Sequence, residues 1–134
     1  MPLKLKLILG SLLLFVLSVS AADAHRRRPV HHRFHAFKAT AYSDHGITAS
    51  GKVTRVGTVA ADPKVLPLGT RIRVANAGPY SGVYVVTDTG SLVKGRHIDL
   101  FIPHFAAAKR FGAKVVLVSV LEWGTPAGSA SPTT

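Results

Sequence analysis

The hydrophobic residues at the start of the chain form one nearly continuous run. Two lysines precede an apolar stretch from Leu7 to Ala22, and small residues stand at Ser20 and Ala22, or at Ala22 and Ala24, as a signal peptidase site requires. This order is typical of a secretory signal peptide, which we place at residues 1–24. The stretch is 16 residues long, short of the roughly 18–20 that cross a bilayer as a helix. We therefore expect cleavage, export to the periplasm or to the outside of the cell, and no stable membrane anchor.

From residue 37 onward the apolar residues follow the shorter period of β-strands. Arg71–Val74 alternates basic and apolar residues, whereas Val83–Thr87 and Lys114–Leu121 are the apolar runs of buried strands. Gly, Pro and Asp mark the turns between such segments, and the pattern predicts six strands. They lie near residues 37–43, 57–61, 71–74, 83–87, 97–102 and 114–121.

One helix is predicted between the last two strands. Pro103 suits a helix N-terminus, and Gly112 suits the C-terminal cap. Between them Phe105, Ala108 and Phe111 recur at helical spacing. Six short strands and one short helix indicate a mainly β chain. We expect a small closed barrel, because closure protects the strand edges in so short a chain.

The segments on either side of the barrel differ in composition. Residues 25–36 are rich in Arg and His. Their histidines could bind a metal, but dense like charge at a terminus favours a flexible, solvated leader. Residues 37–123 then form the barrel. Residues 124–134, which are rich in Gly, Ser, Thr and Pro, are predicted to be a disordered tail.

Charge and cysteine content narrow the classes of function. The 134-residue chain has a net charge of +11 and no cysteine, which excludes disulfides, thiol catalysis and cysteine-based zinc sites. Cleavage after Ala24 removes Lys4, Lys6 and Asp23, so 15 basic and 5 acidic residues remain, a net charge of +10. An exported protein this basic suits a polyanionic partner, such as a polymer of the cell envelope.

Three of the few carboxylates lie at apolar strands, where an unpaired charge is costly. Asp62 and Asp88 each end such a strand, and Asp99 lies between two apolar residues. The alternative of a structural turn cap is strong for Asp62, which precedes a proline, and weak for Asp99, which no turn residue adjoins. Strand alternation puts Asp99 on one face with His97 and Phe101. Aromatic side chains beside Asp99 and a second carboxylate nearby would raise the pKa of Asp99. It could then act as a general acid near neutral pH.

Seven short blocks carry a resemblance to a known family. In order, they are TAYS (40–43), GITASG (46–51), GTVAADP (57–63), LPLGT (66–70), DTG (88–90), VKG (93–95) and HIDL (97–100). Together they closely resemble the three-aspartate (3D) domain. That domain is similar to the catalytic barrel of the membrane-bound lytic transglycosylase A type, and to rare-lipoprotein-A and expansin-like barrels. The resemblance implies a six-stranded double-psi β-barrel.

The same resemblance implies a lytic transglycosylase. Such an enzyme cleaves the β-1,4 bond between MurNAc and GlcNAc in peptidoglycan glycan strands and leaves a 1,6-anhydro product, with no cofactor, metal or activated water. Carried over by position, Asp99 is the single acid/base. Asp88 and Asp62 would stabilise the positive sugar ring and tune Asp99. The substrate-binding residues would be Thr48, Tyr42, Lys94 and Gly90. We expect the protein to act as a monomer.

One departure separates this chain from a related branch. Rare-lipoprotein-A barrels tend to have an acidic residue after the Ala-Ser-Gly block and a histidine after the Ala-Ala pair. This chain has Lys52 and Asp62 there. It therefore groups with the three-aspartate branch by this criterion, and the constellation of the other branch is not expected.

Three other functions stay open. The Asp88-Thr89-Gly90 segment resembles an aspartic protease signature, but only 44 residues follow it, whereas that fold places the motif early in the chain. A non-catalytic peptidoglycan-binding or expansin-like wall-loosening module would use the same groove without cleavage. A nucleic-acid binder would use the basic residues for phosphate contacts, but aromatic residues are not interleaved with them, so we expect no nucleic-acid partner.

Overall fold

The barrel and its immediate flanks, residues 32–126, are the part of the protein that the computed structural model describes. The predicted signal peptide, most of the predicted leader and residues 127–134 of the predicted tail lie outside the described residues. The regular elements are β1 (His35–Tyr42), β2 (Thr58–Ala61), β3 (Arg71–Ala75), β4 (Gly82–Asp88), β5 (His97–Phe101), α1 (Phe105–Phe111) and β6 (Lys114–Glu122), with a 3-10 turn at Gly78–Tyr80.

The six strands close into a barrel in the order β1-β5-β2-β4-β3-β6. The β1–β5 and β2–β4 pairs are parallel, and the other four neighbouring pairs are antiparallel. Each of these strands has two partners, so none presents an open edge on which another chain could add. The closed six-stranded barrel with one α-helix in the described range confirms the predicted mainly β fold class.

The core is filled by the inward-facing side chains of strands in which buried and exposed residues alternate. In β3, Ile72 and Val74 are buried between exposed arginines. In β5, Ile98 and Leu100 are both 0% exposed, which turns Asp99 to the outer face of the barrel. Because the strand period is two, burial of the two apolar neighbours alone determines where this carboxylate points.

The single α-helix of the described residues packs on the barrel beside β1. It begins two residues after Pro103, with His104 at the N-cap position, and buries Ala108 and Phe111. Seven residues are too few for a helix to be stable in isolation, so its position depends on this packing. Gly112 ends it with a φ of 64°, which favours glycine. No helix in this part of the chain is long and apolar enough to cross a membrane.

The barrel extends slightly beyond the boundaries expected from the sequence. β1 begins at His35, because His35 and Ala36 pair with Val118 and Leu117 of β6. At the other end, the N–H of Gly124 donates to the hydroxyl of Thr70 at 3.0 Å. Backbone pairing, which hydropathy does not report, therefore places two residues of the predicted leader in β1. A hydrogen bond to a side chain holds the first residue of the predicted tail against Thr70.

Candidate functional site

A row of paired residues crosses the outer face of the barrel from β1 to β4. Thr40 pairs with Asp99, Asp99 pairs with Ala60, and Ala60 pairs in turn with Asp88. Paired residues on neighbouring strands point to the same face. Neighbouring strands lie about 4.8 Å apart, so the Cα atoms of the two aspartates are roughly 10 Å apart. The residue between them in the row is Ala60, whose side chain is a single methyl group.

A β-bulge brings Asp88 into this row. The β2–β4 register shifts between Val59 and Ala60, so that Val59 pairs with Val86 while Ala60 pairs with Asp88. Thr87 is the extra residue and is itself buried. Bulges re-aim side chains in this way and are common beside active sites. Without the bulge, Thr87 would face Ala60 and Asp88 would point away from the row.

Asp99 is the carboxylate whose surroundings most favour its protonated form. The residue is half-buried, and desolvation raises the pKa of its carboxyl group above the ordinary value for aspartate. The hydroxyl of Thr40, which donates to Asp99 Oδ1 at 2.8 Å, and the nearby His97 oppose this increase. Desolvation is the larger effect, so the protonated form of Asp99 is more favoured than in an exposed aspartate. Its role as a general acid stays a prediction.

Thr40 also connects Asp99 to an imidazole. Its Oγ1 lies 2.8 Å from Nε2 of His97, and Nδ1 of His97 lies 3.2 Å from the carbonyl oxygen of Leu92. Sequence reasoning put His97 on the face of Asp99 but did not single out Thr40. The signal for Thr40 was its position two residues before Tyr42, which puts both on one face of β1.

Asp88 connects the row to the loop between β1 and β2. Its Oδ1 accepts hydrogen bonds from the backbone N–H groups of Ala49 and Thr89, both at 2.9 Å. A further bond runs from the N–H of Ser50 to the carbonyl oxygen of Thr87 at 3.0 Å. These bonds hold the Ala49–Ser50 turn against the end of β4, so the loop forms one side of the site.

Tyr42 places a buried phenol beside both carboxylates. Desolvation raises its pKa to about 12, and the charges of Asp88 and Asp99 add to the increase. Thr58 approaches the phenol and offsets this effect only partly. Within residues 32–126, Oη makes no hydrogen bond of acceptable geometry. The ring packs 5.4 Å from that of Phe101, so the position of the hydroxyl is fixed while its hydrogen-bonding capacity is unused.

Asp62, the third aspartate, lies just beyond β2 and is held by the backbone. Its Oδ1 accepts from the N–H of Lys64 at 3.0 Å and its Oδ2 from the N–H of Gly95 at 2.8 Å. These hydrogen bonds, that of Gly95 above all, lower the pKa of the carboxyl group. The contacts match the turn-cap alternative that the following proline suggested, and a direct role for Asp62 in chemistry stays a prediction.

The remaining predicted substrate-binding residues lie around the site with different surroundings. Thr48 is 5% exposed, and its hydroxyl donates to the carbonyl oxygen of Lys52 at 2.8 Å. Lys94 is exposed in the loop before β5. Gly90 begins that loop, and a Cβ there would come within 2.9 Å of Val93 Cγ2. Their roles in binding stay predictions. The described residues contain no group of three or more His, Asp or Glu that could hold a metal ion.

The family of the barrel follows from its sequence. Residues 57–122 match the 3D domain family. Residues 57–122 are therefore a 3D domain. The matched range contains all three aspartates and begins after Thr40 and Tyr42, so it includes β2 to β6 and leaves out β1.

Two curated proteins of Bacillus subtilis (strain 168) are similar to this 3D domain protein. The cell wall-binding protein YocH is 37% identical over 92 residues, which are 62% of this chain and 31% of YocH. YabE, whose name proposes a role in cell wall shaping, is 36% identical over 90 residues, 64% of this chain and 21% of YabE. The chain thus spans less than a third of either relative.

Solved structures of an Escherichia coli enzyme have a similar fold. A crystal structure of the lytic transglycosylase MltA matches with a TM-score of 0.48 and 24% identity, covering 60% of this chain and 28% of that chain. MltA with bound chitohexaose matches with a TM-score of 0.47 and 22% identity, covering 58% of this chain and 28% of that one.

Proposed function

We propose that the 3D domain protein is a lytic transglycosylase that cleaves peptidoglycan glycan strands in the cell envelope. The observation that carries the proposal is Asp99, a half-buried carboxylate whose pKa is raised by desolvation and which shares an outer row with Asp88. Two further findings support a wall substrate. The domain belongs to the 3D family, and YocH is named for cell wall binding.

In the proposed reaction Asp99 acts twice. As the neutral acid it donates its proton to the glycosidic oxygen while the bond from C1 of MurNAc to that oxygen breaks. As the resulting carboxylate it takes the proton of the C6 hydroxyl while O6 attacks C1 and closes the 1,6-anhydro ring. The proton returns to Asp99, so the cycle closes without an activated water, unlike the two-carboxylate hydrolases.

Asp88 and Tyr42 would support the positive sugar ring. Asp88 is orientated through Oδ1 by two backbone N–H groups, and no hydrogen bond within residues 32–126 engages its Oδ2. A carboxylate near a developing oxocarbenium ion lowers the barrier electrostatically. The hydroxyl of Tyr42 is unpaired within the described residues but buried, so it would bind a sugar oxygen only after the side chains that cover it move.

A second candidate is a wall-binding domain that does not cleave. The name of YocH favours it, and the carboxylates and hydroxyls of the row would serve equally to bind sugar hydroxyl groups. In that case the raised pKa of Asp99 would help Asp99 donate a hydrogen bond rather than transfer a proton.

The decisive experiment is to incubate the purified protein with peptidoglycan and analyse the soluble products by mass spectrometry. Wild-type protein should release fragments ending in 1,6-anhydroMurNAc, lighter than hydrolytic products by the mass of one water. Asp99→Asn should lose more than the roughly 10²–10⁴-fold of one acid–base role, because it loses both halves of the cycle. Asp88→Asn should keep residual activity. Glu122→Gln, the same chemical change at an exposed position, should cleave normally.

The melting temperature serves as the control that each variant is correctly folded. Because the folded pKa of Asp99 is raised, its carboxylate destabilises the folded state once the pH exceeds the unfolded pKa of about 4. Asp99→Asn should therefore not melt lower than wild type at pH 7. Reducing-end MurNAc would indicate a hydrolase, and intact binding without product would favour the wall-binding domain. Full activity of Asp99→Asn would contradict the assignment of the acid.

A further inference from the structure

Three polar groups in contact run along the outer face from β5 to β1 and back. Oδ1 of Asp99 lies 2.8 Å from Oγ1 of Thr40, and the same Oγ1 lies 2.8 Å from Nε2 of His97. On the far side of the imidazole, Nδ1 lies 3.2 Å from the carbonyl oxygen of Leu92. Both contacts of Thr40 are within normal hydrogen-bond distance, so each needs a hydrogen.

Counting hydrogens shows that the arrangement holds one more proton than Thr40 provides. The carbonyl oxygen of Leu92 can only accept, so the tautomer that makes a hydrogen bond of the 3.2 Å contact carries its hydrogen on Nδ1 of His97, and in that tautomer a neutral His97 has none on Nε2. The hydroxyl of Thr40 supplies one hydrogen for its two contacts. The second must be on Asp99 Oδ1, as a neutral acid, or on His97 Nε2, as an imidazolium.

We propose that Asp99, Thr40 and His97 share one proton, which Thr40 passes between the carboxyl group and the imidazole. In the transfer, the Nε2 hydrogen of His97 moves to Oγ1 of Thr40 while the hydroxyl hydrogen of Thr40 moves to Oδ1 of Asp99. The imidazolium becomes neutral imidazole, the carboxylate becomes the acid, and no other reactant is needed. Its role in glycan cleavage rests on the proposed function. Thr40 and His97 are positioning residues, since only Asp99 would contact the reacting atoms.

The two proton positions differ in how water stabilises them. The charged form, with carboxylate and imidazolium, is stabilised by solvent, whereas the neutral form is favoured when water is excluded. A glycan that covers the row would therefore move the proton onto Asp99 at the time when an acid is needed. Transfer through a hydroxyl fixed at 2.8 Å from both partners requires no change of backbone.

Other charged groups surround the triad without changing the hydrogen count. Tyr42 of β1 and Asp88 of β4 lie near Asp99, since both carboxylates act on the same phenol. Ala60 of β2 contributes no charge. The exposed Lys38 of β1 is the backbone partner of His97. Further charged residues lie in the loop before β5 and at the end of β2. These are Lys94, Arg96 and Asp62.

The direct test is an NMR titration, which does not depend on activity. The ring nitrogens of His97 and the carboxyl carbon of Asp99 are followed against pH in the protein and its variants. Asp99→Asn should move the titration of His97, and His97→Gln that of Asp99, by on the order of one pH unit, the coupling at which two groups titrate as one. Thr40→Val should uncouple the two groups, and Thr40→Ser, which restores the hydroxyl, should recouple them.

His104→Gln is the matched control, because His104 is exposed and makes no side-chain hydrogen bond to the helix that it caps. It should leave the titration of Asp99 unchanged. Independent titration of His97 and Asp99 in the wild-type protein would overturn the proposal, as would coupling that persists in a folded Thr40→Val protein.

Activity provides a second readout that separates the two proposals. If the protein cleaves glycan, His97→Gln should shift the alkaline limb of the pH–rate profile to lower pH, because Asp99 loses its stored proton. An unshifted limb in His97→Gln would overturn the shared proton in catalysis. Coupled titrations in a protein that cleaves nothing would support the shared proton while contradicting the transglycosylase proposal.

Discussion

The carboxylate of Asp62 accepts a hydrogen bond from the backbone N–H of Gly95 at 2.8 Å, and so ties the end of β2 to the loop that leads into β5. That loop also carries the carbonyl oxygen of Leu92, which contacts His97. Asp62 thus holds the segment that orientates the imidazole. This contact explains why a charge stands at the end of an apolar strand.

Replacing Asp62 with Asn should lower the melting temperature by a few degrees at pH 7. Hydrogen bonds lower the folded pKa of Asp62 below its ordinary value, so its stabilisation is complete above the unfolded pKa of about 4. It is lost as the pH falls through the folded pKa. Thermal melts from pH 7 downward should show the two proteins converging in acid. Asp44→Asn is the control, because Asp44 is exposed. A constant difference at every pH would contradict this account.

Gly124 marks a close approach of two backbone segments, and we expect it not to tolerate a side chain. A Cβ there would lie 2.6 Å from the N of Thr70, and closer still to the carbonyl oxygen of Leu68. Because these atoms are backbone, relief requires movement of the chain. Gly124→Ala should destabilise the barrel by about 1–3 kcal/mol, measured by chemical denaturation. Gly46→Ala, where nothing lies within 4 Å of the added Cβ, should change stability little.

Strand positions were predictable because most strands bury one alternating set of residues, whereas all four residues of β2 are buried. Asp99 shows this well, since its two apolar neighbours determine its face without knowledge of any partner strand. Asp88 shows the limit. Its position in the row depends on the bulge between Val59 and Ala60, and no local signal in the sequence marks that shift of register.

The features of the site that the sequence did not predict depend on contacts between residues that are far apart in the chain. Thr40 and Asp99 are 59 positions apart, and Ala49 and Asp88 are 39 apart. Propensity and period carry no information about pairings of that kind. The family resemblance supplied the set of aspartates, but it did not distinguish Asp62, which is held by backbone N–H groups, from the two carboxylates of the row.

The two arginines of β3 should bind anionic wall polymer without taking part in chemistry. In the closed order, β3 lies three strands from β5 in either direction, so Arg71 and Arg73 face away from Asp99. Arg73→Glu reverses two charge units, which is worth about 2 kcal/mol at contact distance in water. Wall binding should weaken by roughly 30-fold at low salt and much less at high salt.

Turnover of short soluble glycans by Arg73→Glu should be nearly unchanged. Arg71→Gln is a useful comparison, because it removes only the ion pair of Arg71 with Glu122, which spans 3.3 Å across an exposed surface, and such pairs contribute little to stability. It should weaken wall binding without a large change in melting temperature. Equal losses on wall and on soluble glycan would place the arginines in the substrate groove instead.

The phenol of Tyr42 separates stability from function. A buried hydroxyl without a hydrogen-bond partner is unfavourable, and that of Tyr42 has none of acceptable geometry in the described part of the chain. Tyr42→Phe should therefore melt at or above the wild-type temperature. If the hydroxyl binds a sugar oxygen, kcat/KM on soluble glycan should fall about tenfold, as expected for the loss of one hydrogen bond of about 1.4 kcal/mol. Calorimetry should show a matching loss of glycan affinity if the protein binds without cleaving.

Tyr84 offers the opposite case in the same barrel. Its hydroxyl donates to the carbonyl oxygen of Tyr80 at 2.6 Å, so Tyr84→Phe should lose about 1 kcal/mol of stability. Its cleavage and binding of glycan should not change. We therefore expect opposite results for the two variants. Tyr42→Phe should lose function and keep its stability, whereas Tyr84→Phe should lose stability and keep its function. A Tyr42→Phe protein that melts lower than wild type and handles glycan normally would show that the phenol serves the fold, and the site would then consist of Asp88, Asp99 and the groups bonded to them.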